Sequence, residues 1–312
     1  MLSPCLMRHA RLILIIIAML AGLMNTPSAG AATDSAVGSR VVIMSAFEPE
    51  LERLLDQTQD ARTQHINGIA FTTGTLRGQP VVLFLSGISM VNAAMTTQLV
   101  IDHFDVSHIV FSGIAGGVNP NLNIGDVVVA EKWGQYLEAV FARETQDGFE
   151  PPQDKQGLGF PAYGMMFPRA VRVRSHDQPD IHQKFWFDVD KQLLKQAEAL
   201  EAVPLLACNQ HEQCLEHEPQ VVVGGSGVSG AAFVDNAAFR QYTHDTFDAS
   251  VLDMESAACA AVAYSNGVPF IAFRALSDLA GGGAGENEMH TFMDIAAENS
   301  ARVVLKFLEN WP

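Results

Sequence analysis

Along the chain, short runs that are apolar at every position alternate with stretches whose apolar residues recur every three or four positions. Residues 40–46 (RVVIMSA), 108–113 (HIVFSG), 126–130 (DVVVA) and 220–227 (QVVVGGSG) are of the first kind. Such runs predict strands buried on both faces. The second kind covers 51–57, 90–104, 190–202, 236–244 and 287–308 and predicts amphipathic helices. Residues 251–278 read strand, helix, strand. Two strand runs, 69–76 and 80–86, flank Arg77-Gly78, which makes the sheet mixed rather than all parallel. The expected fold is α/β, a three-layer sandwich around a mixed, mostly parallel central sheet. One stretch breaks the pattern. Residues 134–188 hold Pro151, Pro152, Pro161, Pro168 and Pro179 and no sustained period. A long excursion of this kind is expected to line or lid a site. With it, residues 32–312 are expected to form one domain.

Ligands of open α/β sheets gather outside strand ends. Candidate chemistry falls there. Asp253-Met254-Glu255 and Ser277-Asp278 end two apolar strands, and Glu50 follows the first strand. Each has a plain structural alternative. Asp278 and Glu255 can cap helices or turns, and Glu50 can serve its own helix dipole as a first-turn acid. Ile114-Ala115-Gly116-Gly117 follows the strand at 108–113, and glycines let backbone approach a ligand closely; the same cluster can be only a tight turn. This makes Ala115 and Gly116 candidates. Phe233, in the turn after 220–227, is an aromatic for stacking or a core side chain.

Composition then limits the partners. The chain has 312 residues and a formal charge of −16. Residues 1–31 read as a cleaved signal peptide, with an uncleaved anchor as the alternative: Arg8, His9 and Arg11, an apolar run at 12–24, then Ala29-Gly30-Ala31. Without it the balance is 17 − 35 = −18, which disfavours nucleic acid. Export to a periplasm-like compartment is expected. There Cys208 and Cys214, flanking CNQHEQC, favour a disulfide. With His211 and His217 they also fit a zinc spacing, and free thiols are the third option. Cys259 sits on an apolar helix face and is expected in the core.

Seven motifs, SAFEPE (45–50), SGIS (86–89), SGIAGG (112–117), GDVVVA (125–130), VSGAAF (228–233), DMES (253–256) and RALSD (274–278), together resemble the purine nucleoside phosphorylase/uridine phosphorylase superfamily. The similarity is greatest to its methylthioadenosine/S-adenosylhomocysteine nucleosidase branch. The resemblance implies that Asp278 donates a proton toward purine N7 and Glu255 bonds the ribose hydroxyls. It implies that Glu50 activates water, that Phe233 stacks on the base with the Val234 backbone beside it, and that Met254 packs on the ribose. Ser277 adjoins the acid. The resemblance implies a homodimer and no metal or organic cofactor. The chain departs from the nucleosidases at Ile114, where they show a hydroxyl, near Ala231, where they show an acid, and at Ser89-Met90, where they show Gly-Lys.

The chemistry is self-consistent. Breaking an N-ribosidic bond develops a cationic sugar and an anionic purine. A carboxylic acid of raised pKa can protonate the leaving base, and a second carboxylate can orient water opposite it. A third, gripping two hydroxyls, fixes the ring. The expected function is a hydrolase acting on purine nucleosides, with water as nucleophile. A phosphorylase needs clustered arginines or backbone donors for phosphate, and Glu48-Pro49-Glu50 stands where its phosphate loop would lie. A non-catalytic binding or storage relative is the third reading.

Overall fold

The computed structural model describes residues 38–153, 159–209, 212–283 and 285–311. The expected leader at 1–31 lies outside them. From residue 39 onward the described chain forms one compact unit.

Its centre is a 12-stranded sheet. We number the strands β1 (Arg40–Ser45), β2 (Gln59–Ile66), β3 (Ile69–Leu76), β4 (Gln79–Leu85), β5 (Val106–Gly117), β6 (Val127–Val129), β7 (Lys132–Gly134), β8 (Trp186–Asp188), β9 (Val221–Val223), β10 (Ser226–Ser229), β11 (Ala249–Asp253) and β12 (Phe270–Asp278). The main path runs β8-β7-β10-β11-β5-β1-β4-β3-β2; β12 pairs β5 and β6, and β6 pairs β9. The β1–β4, β1–β5, β5–β12 and β10–β11 pairs are parallel. Antiparallel pairing enters at β2–β3–β4, β5–β11, β6–β12 and β7–β8.

Alternation along the strands sorts side chains between two cores. Val42 and Met44 of β1 face a cluster with α2 (Met90–His103) and α5 (Ser256–Asn266). Val41 and Ile43 face α1 (Glu48–Asp56), α3 (Lys191–Ala197) and α6 (Met289–Glu309). Helices therefore cover both faces of the sheet, the three-layer arrangement. Cys259 is buried in the first cluster. The remaining helix, α4 (Ala237–Phe247), packs on a third cluster with Phe185, Tyr136 and Leu252.

Three features go beyond the sequence reading. Residues 114–117 are not a turn: β5 continues through Gly117, because Gly116 and Gly117 pair with Leu252 and Val251 of β11 while Ala115 pairs with Leu276 of β12. β2 was not expected at all. The excursion folds into three small hairpins, Ala139–Phe141 with Met166–Pro168, Arg143–Thr145 with Gly148–Glu150, and Val171–Val173 with His182–Lys184. Aromatic packing and a hydrogen bond pin it: Phe160 meets Phe247 of α4 at 5.0 Å, and His182 Nε2 lies 2.8 Å from the Tyr264 hydroxyl of α5.

Candidate active site

The parallel strands β1, β5 and β12 end on the same edge of the sheet, and the acids collect there. Glu50 is the third residue of α1. One of its oxygens, Oε2, accepts the N–H groups of Ala46 (2.6 Å) and Phe47 (3.3 Å), so it caps its own helix. The other, Oε1, reaches across to accept the Ile114 N–H of β5 at 2.7 Å. The carboxyl is buried, and burial raises its pKa against the opposing pull of Arg274 and these N–H donors.

Glu255 opens α5. Its Oε1 accepts the Ser89 N–H at 2.7 Å. Ser89 adopts a φ of 81°, a region that favours glycine, just before α2. Burial lifts the Glu255 carboxyl to about 7; Arg274 opposes this, and the charges of Asp253 and Glu50 add to it.

Asp278 ends β12. Its Oδ1 accepts the Ala280 N–H at 2.7 Å, and Oδ2 lies 3.0 Å from Ser277 Oγ. Burial raises this pKa too, against lowering by Ala280, Ser277 and Asn287, with Glu288 adding to the rise. A carboxyl whose pKa is raised holds its proton more readily, as a proton donor needs.

Arg274 joins the acids and was given no role in the sequence. It is fully buried in the middle of β12. Its Nε lies 2.7 Å from Asp253 Oδ2, Nη2 lies 3.4 Å from Glu255 Oε2, and Nη1 lies 3.9 Å from Glu50 Oε1. Nε also donates to Ser256 Oγ at 2.9 Å, Nη1 donates to the Ile114 carbonyl at 3.2 Å, and the guanidinium sits 3.9 Å over the Phe111 ring. Burial works to lower its pKa, but the three carboxylates more than reverse that and raise it. The available signal was an arginine inside an otherwise apolar strand, FIAFRALSD, since a buried cation must be paired. Gly113 makes room for it: a Cβ there would fall on Arg274 Nη1 and lie 2.7 Å from Glu50 Oε1.

Asp253, one of the two acids of the strand-end pair, has a structural role. It accepts hydrogen bonds from Ser229 Oγ and from the N–H groups of Glu255 and Ser256 at 3.2 Å each, so it anchors the start of α5 as well as Arg274.

These groups open on one cavity of about 540 Å³. Glu50, Asp253, Glu255 and Asp278 line it. Ala115, Gly116, Phe233, Val234, Met254 and Ser277 line it as well, so the structure brings every candidate from the sequence together there except the cysteines. Phe233 is 57% exposed at the rim, which excludes the plain core alternative. Ile88, Met289, His290 and Met293 line it too. No arginine or lysine among the described residues lines the cavity, and none of its lining comes from the excursion, contrary to expectation. A second hollow, about 950 Å³, shares Ala46, Phe47 and Ile88 with the first. Cys208 and Cys214 lie elsewhere, bonded to each other, S–S 2.04 Å, on an exposed loop.

Comparison with known proteins points the same way. The family model described as the phosphorylase superfamily matches residues 40–309. The 5′-methylthioadenosine/S-adenosylhomocysteine nucleosidase of Bacillus thuringiensis (strain Al Hakam) is 29% identical over 272 residues, covering 86% of this chain and 98% of that protein. Among solved structures, the nucleosidase of the same description from Neisseria meningitidis, in complex with methylthio-immucillin-A, superposes with a TM-score of 0.65 at 25% identity. It covers 88% of this chain and 100% of that one. The S-adenosylhomocysteine nucleosidase from Streptococcus pyogenes, in complex with 5-methylthiotubericidin, gives 0.65 at 28% identity, covering 89% and 99%.

Proposed function

This chain belongs to the phosphorylase superfamily, and from that premise we propose that it is a hydrolase that cleaves the N-ribosidic bond of a purine nucleoside with water. The observation that carries the choice of water is the cavity's charge. Four carboxylates line it, while Arg274 faces three of them from behind the wall. A phosphate dianion needs cationic or clustered N–H partners, and this lining repels it.

Each residue has a role that its surroundings support. Asp278, whose pKa burial raises, donates its proton to N7 of the purine as the C1′–N9 bond breaks. The bonding electrons leave with the base, which departs neutral. Glu50 takes a proton from water as the oxygen bonds C1′. Burial raises its pKa, which makes it a stronger base. Solvent returns the proton from Glu50 to Asp278, so the net reaction is nucleoside plus water to purine plus free sugar. Glu255 grips the ribose hydroxyls, with Met254 against the ring, and Phe233 stacks on the base beside the Val234 backbone. Ala115, Gly116 and Ser277 form the wall along the base. With base and hydroxyls so placed, the 5′ substituent faces Phe47, Ile88, Met289 and Met293, an apolar, sulfur-rich end suited to a thioether.

The test is a product assay on 5′-methylthioadenosine, S-adenosylhomocysteine, adenosine and inosine, with and without phosphate. Free purine and free sugar at the same rate in both conditions is the expected result, with loss of at least 100-fold in Asp278→Asn. Phosphate dependence, or full purine release by that variant, would sink the assignment.

We also read the protein as exported and paired with a second copy. The basic-apolar-small leader pattern and an exposed disulfide support the first. Ile88, Val91 and Met95, exposed beside the cavity mouth, support the second. Fractionation with N-terminal sequencing, and light scattering of the purified protein, check each.

A further inference from the structure

Asn287 stands just before α6 and has no part in the mechanism above. Its Nδ2 lies 3.3 Å from Asp278 Oδ1 and 3.3 Å from Asp235 Oδ1. Its Oδ1 accepts the Met289 N–H at 2.9 Å. One carboxamide therefore touches the proton donor, the loop that carries Phe233 and Val234, and the helix that supplies Met289, His290 and Met293 to the cavity. We propose that Asn287 is a positioning residue that decides which oxygen of Asp278 holds the transferable proton. The proposal rests on the hydrolase reading.

The argument is one of donors and lone pairs. Asp278 Oδ1 faces two N–H donors, Ala280 at 2.7 Å and Asn287. A protonated carboxyl has one carbonyl oxygen, an acceptor, and one hydroxyl oxygen. Two donors at Oδ1 make it the carbonyl, so the hydrogen sits on Oδ2. That oxygen lies beside Ser277 Oγ, whose other partner is the Ala115 carbonyl at 3.4 Å. While Asp278 is protonated, the serine hydroxyl donates to Ala115 and leaves the Oδ2 hydrogen for the base. Once the proton has gone, the same hydroxyl turns to the new carboxylate. Without Asn287 only one donor marks Oδ1, and the hydrogen divides between the two oxygens.

The charged groups around Asp278 are Glu288 at the start of α6, Asp235 through the shared amide, and Glu50 and Glu255 across the cavity. Arg240 of α4 donates to the Gly117 carbonyl at 3.0 Å and lies against Gly282 of the same loop.

The experiment uses the full-length enzyme and the best nucleoside from the product assay. Asn287→Asp keeps the shape and the acceptor for Met289 but removes the donor. It should lower kcat about 10-fold, within the range ascribed to a general acid, and change KM less than about 3-fold. The alkaline limb of kcat/KM should move to higher pH, because the Asp278 carboxylate has lost a donor and gained a negative neighbour. Asn287→Ser, which adds no charge, should move the limb in the same direction by less. In an Asp278→Asn background either change should cost nothing more. An unmoved limb, or an equal fall in that background, would overturn the proposal. Failure of the hydrolase reading shows separately, as purine release that survives Asp278→Asn alone.

Discussion

Glu255 ties stability to pH in a way that can be isolated. Its ordinary pKa of 4.5 is raised to about 7 in the fold. Burial is the chief cause; Arg274 pulls downward, and the charges of Asp253 and Glu50 push upward. Between these two values the folded chain holds a proton that the unfolded chain has released. Its contribution is therefore fully present below 4.5 and is lost as pH rises through about 7. At about 1.4 kcal/mol per pH unit, the gap comes to about 3 kcal/mol. Asp278 and Glu50 shift in the same direction, so the wild-type curve alone cannot assign the effect. Glu255→Gln removes one titrating group and keeps an acceptor for the Ser89 N–H. Urea unfolding of both proteins at pH 4.5, 6 and 8 should show the wild type losing about 3 kcal/mol more than the variant across that range. In melts, at roughly 2 °C per kcal/mol, this is about 6 °C of Tm. Parallel pH curves for the two proteins would refute the reasoning, and a variant that falls more steeply would reverse its sign.

Gly113→Ala places a methyl group on Arg274 Nη1 and against Glu50 Oε1, so kcat should fall at least about 10-fold while far-ultraviolet circular dichroism keeps the wild-type spectrum. The Cys208–Cys214 bond closes a short loop, with a sequence separation of 6, outside the cavity lining. The double change Cys208→Ser, Cys214→Ser should cost about 2 kcal/mol by the loop-closure relation and leave kcat within about 2-fold, read by denaturant unfolding and the purine-release assay.

The parts legible in the sequence are those whose pattern and environment agree. Residues 251–278 alternate strand, helix and strand with caps and apolar runs in register, and β11, α5 and β12 form there. β2 was illegible by hydrophobicity because QDARTQHI is an exposed edge strand with no inward apolar face. The missed signal was its turn: Asn67 and Gly68 have φ of 50° and 83°, the two-residue hairpin geometry that an Asn-Gly pair favours. Residues 114–117 misled for another reason. Glycine count suggested a turn, but pairing to two strands distant in sequence keeps the backbone extended, and local composition cannot report that. Within the site, Glu50, Glu255 and Asp278 stood out as acids at element ends. Arg274 and Asn287 did not, and which acid of the Asp253/Glu255 pair holds the arginine's Nε was not legible, because these roles depend on partners in other elements.

Phe47 and Ile88 line both hollows, of about 540 and 950 Å³, and so stand at the boundary between them. A partition of two side chains yields by rotamer change, where a floor of packed backbone would not. The tolerated length of whatever hangs from the sugar's fifth carbon is then set by how readily that partition swings. Acidic Glu48, Glu52 and Asp56 border the larger hollow, so long tails ending in an amine should pass more easily than tails ending in a bare carboxylate.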